Sequence, residues 1–110
     1  MYTIERLPSL AEQGRSVLRR LGYINIAVFL DDGTKGLPAY APFDTILVKA
    51  GGKRIPQPLL EQLKDGGYVV MPIGEDRTRH QLQAGHKMQG TLHLQHLGAV
   101  SFVPLIGQYA

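Results

Sequence analysis

The stretch from Gly22 to Gly74 reads GYINIAVFLDDGTKGLPAYAPFDTILVKAGGKRIPQPLLEQLKDGGYVVMPIG, and its pattern decides the fold. Ile24 to Leu30 is a mostly apolar run of strand length. Turn residues fill Asp31 to Pro42, with Asp32-Gly33, Leu37-Pro38 and Ala41-Pro42 as the strongest chain-turning pairs. Thr45 to Val48 is strand-like again. Pro56-Gln57-Pro58 can open a helix, because proline is tolerated in a first helical turn. Leu59, Leu60 and Leu63 supply that helix with a buried stripe, and Gly66-Gly67 are expected to end it. Tyr68 to Ile73 follows as a buried strand with Pro72 near its exit.

Working outward, Tyr2 to Ile4 is β-branched or aromatic and predicts a short strand. Ser9-Leu10-Ala11-Glu12 fits a capping box, in which the serine oxygen and the glutamate satisfy the first helical N–H groups. Leu10, Val17, Leu18 and Leu21 fall close to one helical face, and Gly22 can end the helix in a left-handed conformation. Beyond Gly74, Glu75 to His80 predicts a loop. Gln81 to Met88 and Leu92 to Leu105 predict two more strands, the second interrupted at Gly98. Strand, helix, strand, loop, strand, helix, strand is the pattern of a parallel α/β sheet. Such sheets bind ligands beyond the carboxyl ends of their strands. Three such ends can be located: Glu5-Arg6, Asp31-Asp32-Gly33 and Lys49-Ala50-Gly51.

A chain of 110 residues makes one domain at most, and without cysteine it has neither disulfides nor thiolate chemistry. No apolar run reaches the roughly 20 residues that span a bilayer, and the first residues lack a signal peptide's pattern. A cytoplasmic location with no membrane partner is the expectation. The net charge of +3 comes from scattered groups: Arg15, Arg19 and Arg20; Lys49, Lys53 and Arg54; Arg77 and Arg79. Without a block of like charges these read as solvated faces, not as a nucleic-acid surface. Of the four histidines, His93 and His96 are three apart in a predicted strand and point to opposite faces, so no metal site is expected.

Two acids close neighbouring strands. Glu5, at the end of the first, is placed to accept hydrogen bonds from ribose hydroxyls. Asp32, after the second, can accept one from the exocyclic amine of adenine, and Gly33 lets the backbone approach the ring. Each has a plainer alternative, a surface glutamate and a common Asp-Gly turn. Spaced 27 residues apart, the two would flank one nucleoside pocket.

In order and spacing, these segments resemble the C-terminal half of the protein-L-isoaspartate O-methyltransferases. The family's acid after its second strand matches Glu5. Its Gly-Asp-Gly turn is similar to Asp31-Asp32-Gly33, its Ala-Pro-Phe-Asp segment to Ala41–Asp44, and its Gln-Leu-Lys-x-Gly-Gly segment to Gln62–Gly67. Its Pro-Val-Gly exit resembles Pro72-Ile73-Gly74, and its late Phe-Val-Pro-Leu matches Phe102 to Leu105. The resemblance implies an S-adenosyl-L-methionine-dependent enzyme that methylates damaged aspartyl residues in isoaspartyl-containing proteins or peptides. It implies that Glu5, Asp32 and Gly33 bind the cofactor.

Two departures lie at strand ends: Asp31 replaces the first glycine of the turn, and Lys49-Ala50-Gly51 replaces Thr-Ala-Ala or Thr-Ala-Gly. No family-type glycine-rich loop, and no upstream segment with an active-site hydroxyl, occurs in residues 1–110, so no catalytic residue is assigned. The expected architecture is α/β: one incomplete domain over 1–110, a partial Rossmann-like methyltransferase sheet lacking its first central strand. The chain is expected to be truncated and inactive alone. The strands at Tyr2 and Thr45 would then expose unpaired edges that invite self-association. The alternative is a noncatalytic remnant or interaction module of the same fold.

Overall fold

A computed structural model describes all of residues 1–110. The chain divides into two compact units, Met1–Gly33 and Thr34–Ala110. No helix is long and apolar enough to cross a membrane.

The first unit is a strand–helix–strand hairpin of right length for a crossover: β1 (Tyr2–Glu5), α1 (Pro8–Arg20) and β2 (Ala27–Leu30). The two strands pair in parallel, Tyr2 opposite Ala27 through Glu5 opposite Leu30. The capping box does not form. The helix starts at Pro8 with Leu7 as its N-cap and no side-chain cap bond. Proline has the helical φ built in and no N–H to satisfy, so it displaces Ser9 into the first turn. Glu12 pairs instead with Arg15 at 3.5 Å. Gly22 does end the helix as expected, at φ +84°. The Tyr23 N–H reaches the Leu18 carbonyl at 3.0 Å and the Gly22 N–H reaches Arg19 at 3.1 Å, which is a Schellman closure. Arg15 ties the helix to β2 by donating to the Val28 carbonyl at 3.0 Å. The strand expected from Ile24 begins only at Ala27, because the helix closure and the entry turn occupy the residues before it.

The second unit is a mixed four-stranded sheet in the order β3-β4-β5-β6, formed by Phe43–Leu47, Leu63–Ile73, His80–Met88 and Thr91–Val100. β3 and β4 are parallel, joined by α2 (Gln57–Gln62), while β4, β5 and β6 are antiparallel. The helix is shorter than expected. Gly66-Gly67 do not end it but lie inside β4, where the register jumps from Phe43–Leu63 to Thr45–Tyr68. Gly66 sits at φ +88° in this bulge, and a Cβ on Gly67 would lie 2.8 Å from the Asp44 and Lys64 carbonyl oxygens. The glycines therefore serve a strand irregularity. The interruption expected at Gly98 is a second bulge, opposite Leu82 and Gln83, with Gly98 at φ +137°. Ile55, Leu59, Leu63, Val69 and Met71 form the core of this unit, with Ile46, Val48, Ile73, Leu92 and Leu105 packed around it. Within their own sheets β1 and β3 are both edge strands.

Candidate functional site

The site expected at the strand ends of the first unit rests on parallel register. Glu5 is directly opposite Leu30, and the ladder continues one step as the Asp31 N–H donates to the Glu5 carbonyl at 3.1 Å. Both strands therefore exit at the same end of the two-stranded sheet. Glu5 and the Asp31-Asp32-Gly33 turn follow from there. The structure thus brings together the three residues singled out from the sequence.

The Glu5 side chain is half-buried, and its Oε1 accepts the Leu7 N–H at 3.2 Å. That bond turns the carboxylate across the start of α1 and leaves Oε2 as an acceptor. Asp31 stands where the family turn has its first glycine. Its Oδ1 folds back to accept the Asp32 N–H at 2.7 Å. This is a local side-chain-to-backbone closure of the kind aspartate favours in turns. Asp32 and Gly33 are half-buried. A Cβ added to Gly33 would meet nothing within 4 Å, and its φ is not in the left-handed region. Neither backbone conformation nor packing inside the chain requires a glycine there, whereas a ligand lying against the backbone would.

Two concavities lie elsewhere. One, of about 250 Å³, is lined by Arg15, Leu18, Tyr23, Ile24, Ile26 and Val28 on the α1 side of the first unit. The other, of about 290 Å³, lies between Gln57, Leu60, Glu61, Lys87 and Leu92 in the second. Neither is lined by the strand-end acids.

The third strand end, Lys49-Ala50-Gly51, belongs to the second unit. Lys49 is exposed. Gly51 exchanges backbone bonds with the late Phe-Val-Pro-Leu segment: its N–H donates to Val103 and its carbonyl accepts from Leu105, both at 2.8 Å. Gly52 does the same with β4, donating to Pro72 at 3.2 Å and accepting from Gly74 at 2.9 Å. The His80 imidazole, 3% exposed, lies against Gly51 so closely that a Cβ there would collide with its ring. Its Nδ1 accepts the Phe102 N–H at 3.4 Å. Two of the motifs read as separate in the sequence are thus one backbone junction.

Sequence reasoning did not assign a role to Gln62. The side chain is 7% exposed, and its amide spans the loop after Gly33. Nε2 donates to the Lys35 carbonyl at 2.8 Å, and Oε1 accepts the Leu37 N–H at 2.8 Å. Gly36 between them has φ +65°, and any Cβ on it would collide with the Gln62 amide. The available signal was a glutamine on the stripe side of a helix, next to Leu63, downstream of a Lys-Gly-Leu-Pro turn. Lys87 was missed as well: Nζ donates to the carbonyls of Leu60 at 2.8 Å and Leu63 at 2.9 Å, satisfying the end of α2.

The sequence model of the protein-L-isoaspartate(D-aspartate) O-methyltransferases matches residues 1–110. The chain belongs to this family. A protein-L-isoaspartate O-methyltransferase of Methanocella arvoryzae is 50% identical over 109 residues, covering 99% of this chain and 57% of the relative. One from Pyrococcus abyssi is 44% identical over 110 residues, covering 99% of this chain and 51% of the relative. The chain therefore spans about half the length of the curated relatives it matches. A solved protein-L-isoaspartate O-methyltransferase superposes with a TM-score of 0.89 at 27% identity, over 98% of this chain and 34% of that one. A second, from Plasmodium falciparum and described as a complex with S-adenosyl-L-homocysteine, gives 0.82 at 24% identity over 96% of this chain and 51% of that one. The second likeness concerns the fold. Together these comparisons identify the mixed sheet and its parallel strand pairs as part of the methyltransferase α/β fold.

Proposed function

We propose that this chain carries the nucleoside-binding part of an S-adenosyl-L-methionine site, in a protein that methylates isoaspartyl carboxyl groups of damaged proteins or peptides in the cytoplasm. The observation that carries this reading is the parallel register of β1 and β2, with Glu5 and the Asp31–Gly33 turn at one end. The half-buried Glu5 carboxylate, with Oε2 available, suits a pair of ribose hydroxyls. Asp32 suits the exocyclic amine of adenine, and the open space at Gly33 suits the ring itself. A carboxylate that accepts from a ligand in a partly dry setting makes stronger bonds than a neutral acceptor. When bound, the cofactor supplies an electrophilic methyl group to a carboxylate oxygen. The residues assigned here hold and orient its nucleoside, which is where positioning contributes to such a transfer. None is assigned to the reacting atoms.

Titration calorimetry of the full chain with S-adenosylhomocysteine tests the proposal. Heat of binding that is lost in Glu5→Ala and in Asp32→Ala supports it. Binding that is indifferent to both substitutions removes it.

The edge positions of β1 and β3 favour a second reading, an interaction module of the same fold that associates through its strands. An edge strand presents unsatisfied N–H and C=O groups to any extended partner, a second copy included. Association that grows with concentration, without any uptake of S-adenosylhomocysteine, supports this reading over the first.

A further inference from the structure

We infer that Gln62 is a positioning residue for the nucleoside turn: its side-chain amide fixes the Lys35–Leu37 loop and thereby the conformation that Gly33 and Asp32 present. The inference rests on the cofactor-site proposal. Gly33 opens a 3-10 turn that closes at Lys35. The Lys35 carbonyl is the acceptor of the Gln62 Nε2 bond, and two residues on, the Leu37 N–H is the donor to Oε1. A primary amide presents N–H donors and a carbonyl acceptor in one plane, so it can pair with backbone as a neighbouring peptide group would. Gln62 thus supplies both of these bonds from one side chain.

The surroundings leave little freedom for an alternative. Gly36 is buried and left-handed, and its missing Cβ is what lets the amide lie flat on the loop. Thr34 is fully buried, and its Oγ1 accepts the Tyr109 N–H at 3.1 Å. Buried loop backbone needs partners for its polar groups, and here a single side chain provides two of them. Thr34 and Lys35 are held immediately downstream of Gly33, so the turn inherits its geometry through the intervening peptide bonds. No ligand contact by Gln62 is required.

Two substitutions test this in the full chain. Gln62→Met keeps the length and removes both bonds. Gln62→Glu keeps the acceptor for Leu37 but, when ionised, faces the Lys35 carbonyl with a second acceptor. Burial and that carbonyl raise the introduced carboxyl's pKa, and in its neutral form it can again donate and accept. Affinity for S-adenosylhomocysteine is measured by calorimetry at pH 8 and pH 5.5 relative to the unsubstituted chain. Amide exchange is followed at Leu37, Val69 and Met71.

At pH 8 both variants are expected to bind at least about tenfold more weakly and to lose at least tenfold of the protection at Leu37, while Val69 and Met71 change less than threefold. At pH 5.5 the Gln62→Glu deficit shrinks to about threefold or less and the Gln62→Met deficit stays. A deficit in Gln62→Glu that is the same at both pH values overturns the inference. So does a loss of protection shared equally by all three amides, or unchanged affinity with Leu37 unprotected. Should Gln62→Met fail to fold, the pH-dependence of Gln62→Glu alone decides. Should the unsubstituted chain bind no S-adenosylhomocysteine, the cofactor proposal fails separately. The inference is then judged on the Asp32 and Gly33 amide resonances: movement by about 0.1 ppm or more in Gln62→Glu between the two pH values upholds it, and stationary resonances overturn it.

Discussion

Replacing Lys87 by Met isolates one of the contacts that hold α2 in place. The ammonium group lies over the last turn of the helix and donates to two carbonyls, Leu60 at 2.8 Å and Leu63 at 2.9 Å. Methionine keeps most of the apolar stem and fills a similar volume, so packing changes little. What is lost is two hydrogen bonds from a charged donor, each contributing about 1.5–3 kcal/mol where both ends are dry. A further contribution of about 0.3–1 kcal/mol comes from a cation at a helix C-terminus. Lys87 and Leu60 are only half-buried, so water replaces part of this interaction. Solvent competition brings the expected loss below the sum of these contributions, to about 2 kcal/mol. For a urea m-value of about 1–2 kcal/mol per M, the midpoint falls by about 1–2 M. Lys64→Met is the control. Its ion pair with Asp44 is 3.4 Å long, with side chains 59% and 86% exposed. Solvent-screened pairs of this kind contribute about 0–1 kcal/mol. Equilibrium urea unfolding of both variants at pH 7 makes the comparison. If Lys87→Met lowers the midpoint no more than Lys64→Met does, the two carbonyl bonds do not stabilise the helix end.

Gly51→Ala drives a methyl group into the His80 ring and is expected to destabilise by about 1–3 kcal/mol in thermal or urea unfolding. His80→Ala combined with it should recover part of the loss, because the collision is gone; strictly additive costs would contradict the contact. Asp76 accepts the N–H and the hydroxyl of Thr78, both at 2.8 Å. These bonds favour its ionised form and hold its pKa below the ordinary 3.8. The folded-state pKa is depressed, so its stabilising effect is complete above 3.8 and is lost as pH falls through the lower folded value. A carboxyl carbon titration by NMR should give a midpoint below 3.8 that moves up in Thr78→Val, and a midpoint at or above 3.8 would contradict the bonds. In sedimentation velocity the sheet edges should reveal themselves as mass that rises with concentration. A proline at Ile4 should reduce it by removing a strand N–H and bending β1, and a monomer at all concentrations would contradict pairing through the edges.

The parallel pairs were legible because hydrophobic period and turn punctuation agree there. Ala27–Leu30, Phe43–Leu47 and Tyr68–Ile73 are short apolar segments closed by Asp-Gly, Ala-Gly and Pro-x-Gly. The carboxyl-end acids were legible for the same reason, since a strand end is fixed once the strand is. Boundaries that depend on competition between local signals were not. Ser9 is a good cap, but Pro8 starts the helix two residues earlier than a Ser9 cap would. Gly66-Gly67 look like a helix stop, yet they are needed where β4 bulges past Asp44. Contacts made by side chains across long sequence separations left no periodic trace. Gln62 reaching Lys35, Lys87 reaching Leu60 and His80 lying on Gly51 each join segments whose separate patterns are unremarkable.

The most direct test of the two-acid nucleoside site asks whether each acid reads its own end of the ligand. The full chain is titrated with S-adenosylhomocysteine, with its inosine counterpart lacking the exocyclic amine, and with its 2′,3′-dideoxy counterpart lacking the ribose hydroxyls. The unsubstituted chain should weaken by about tenfold or more for each change, as expected for bonds to charged acceptors. In Glu5→Ala the dideoxy penalty should disappear and the inosine penalty remain, and in Asp32→Ala the pattern should reverse. Penalties that persist unchanged in both variants would contradict the assignment.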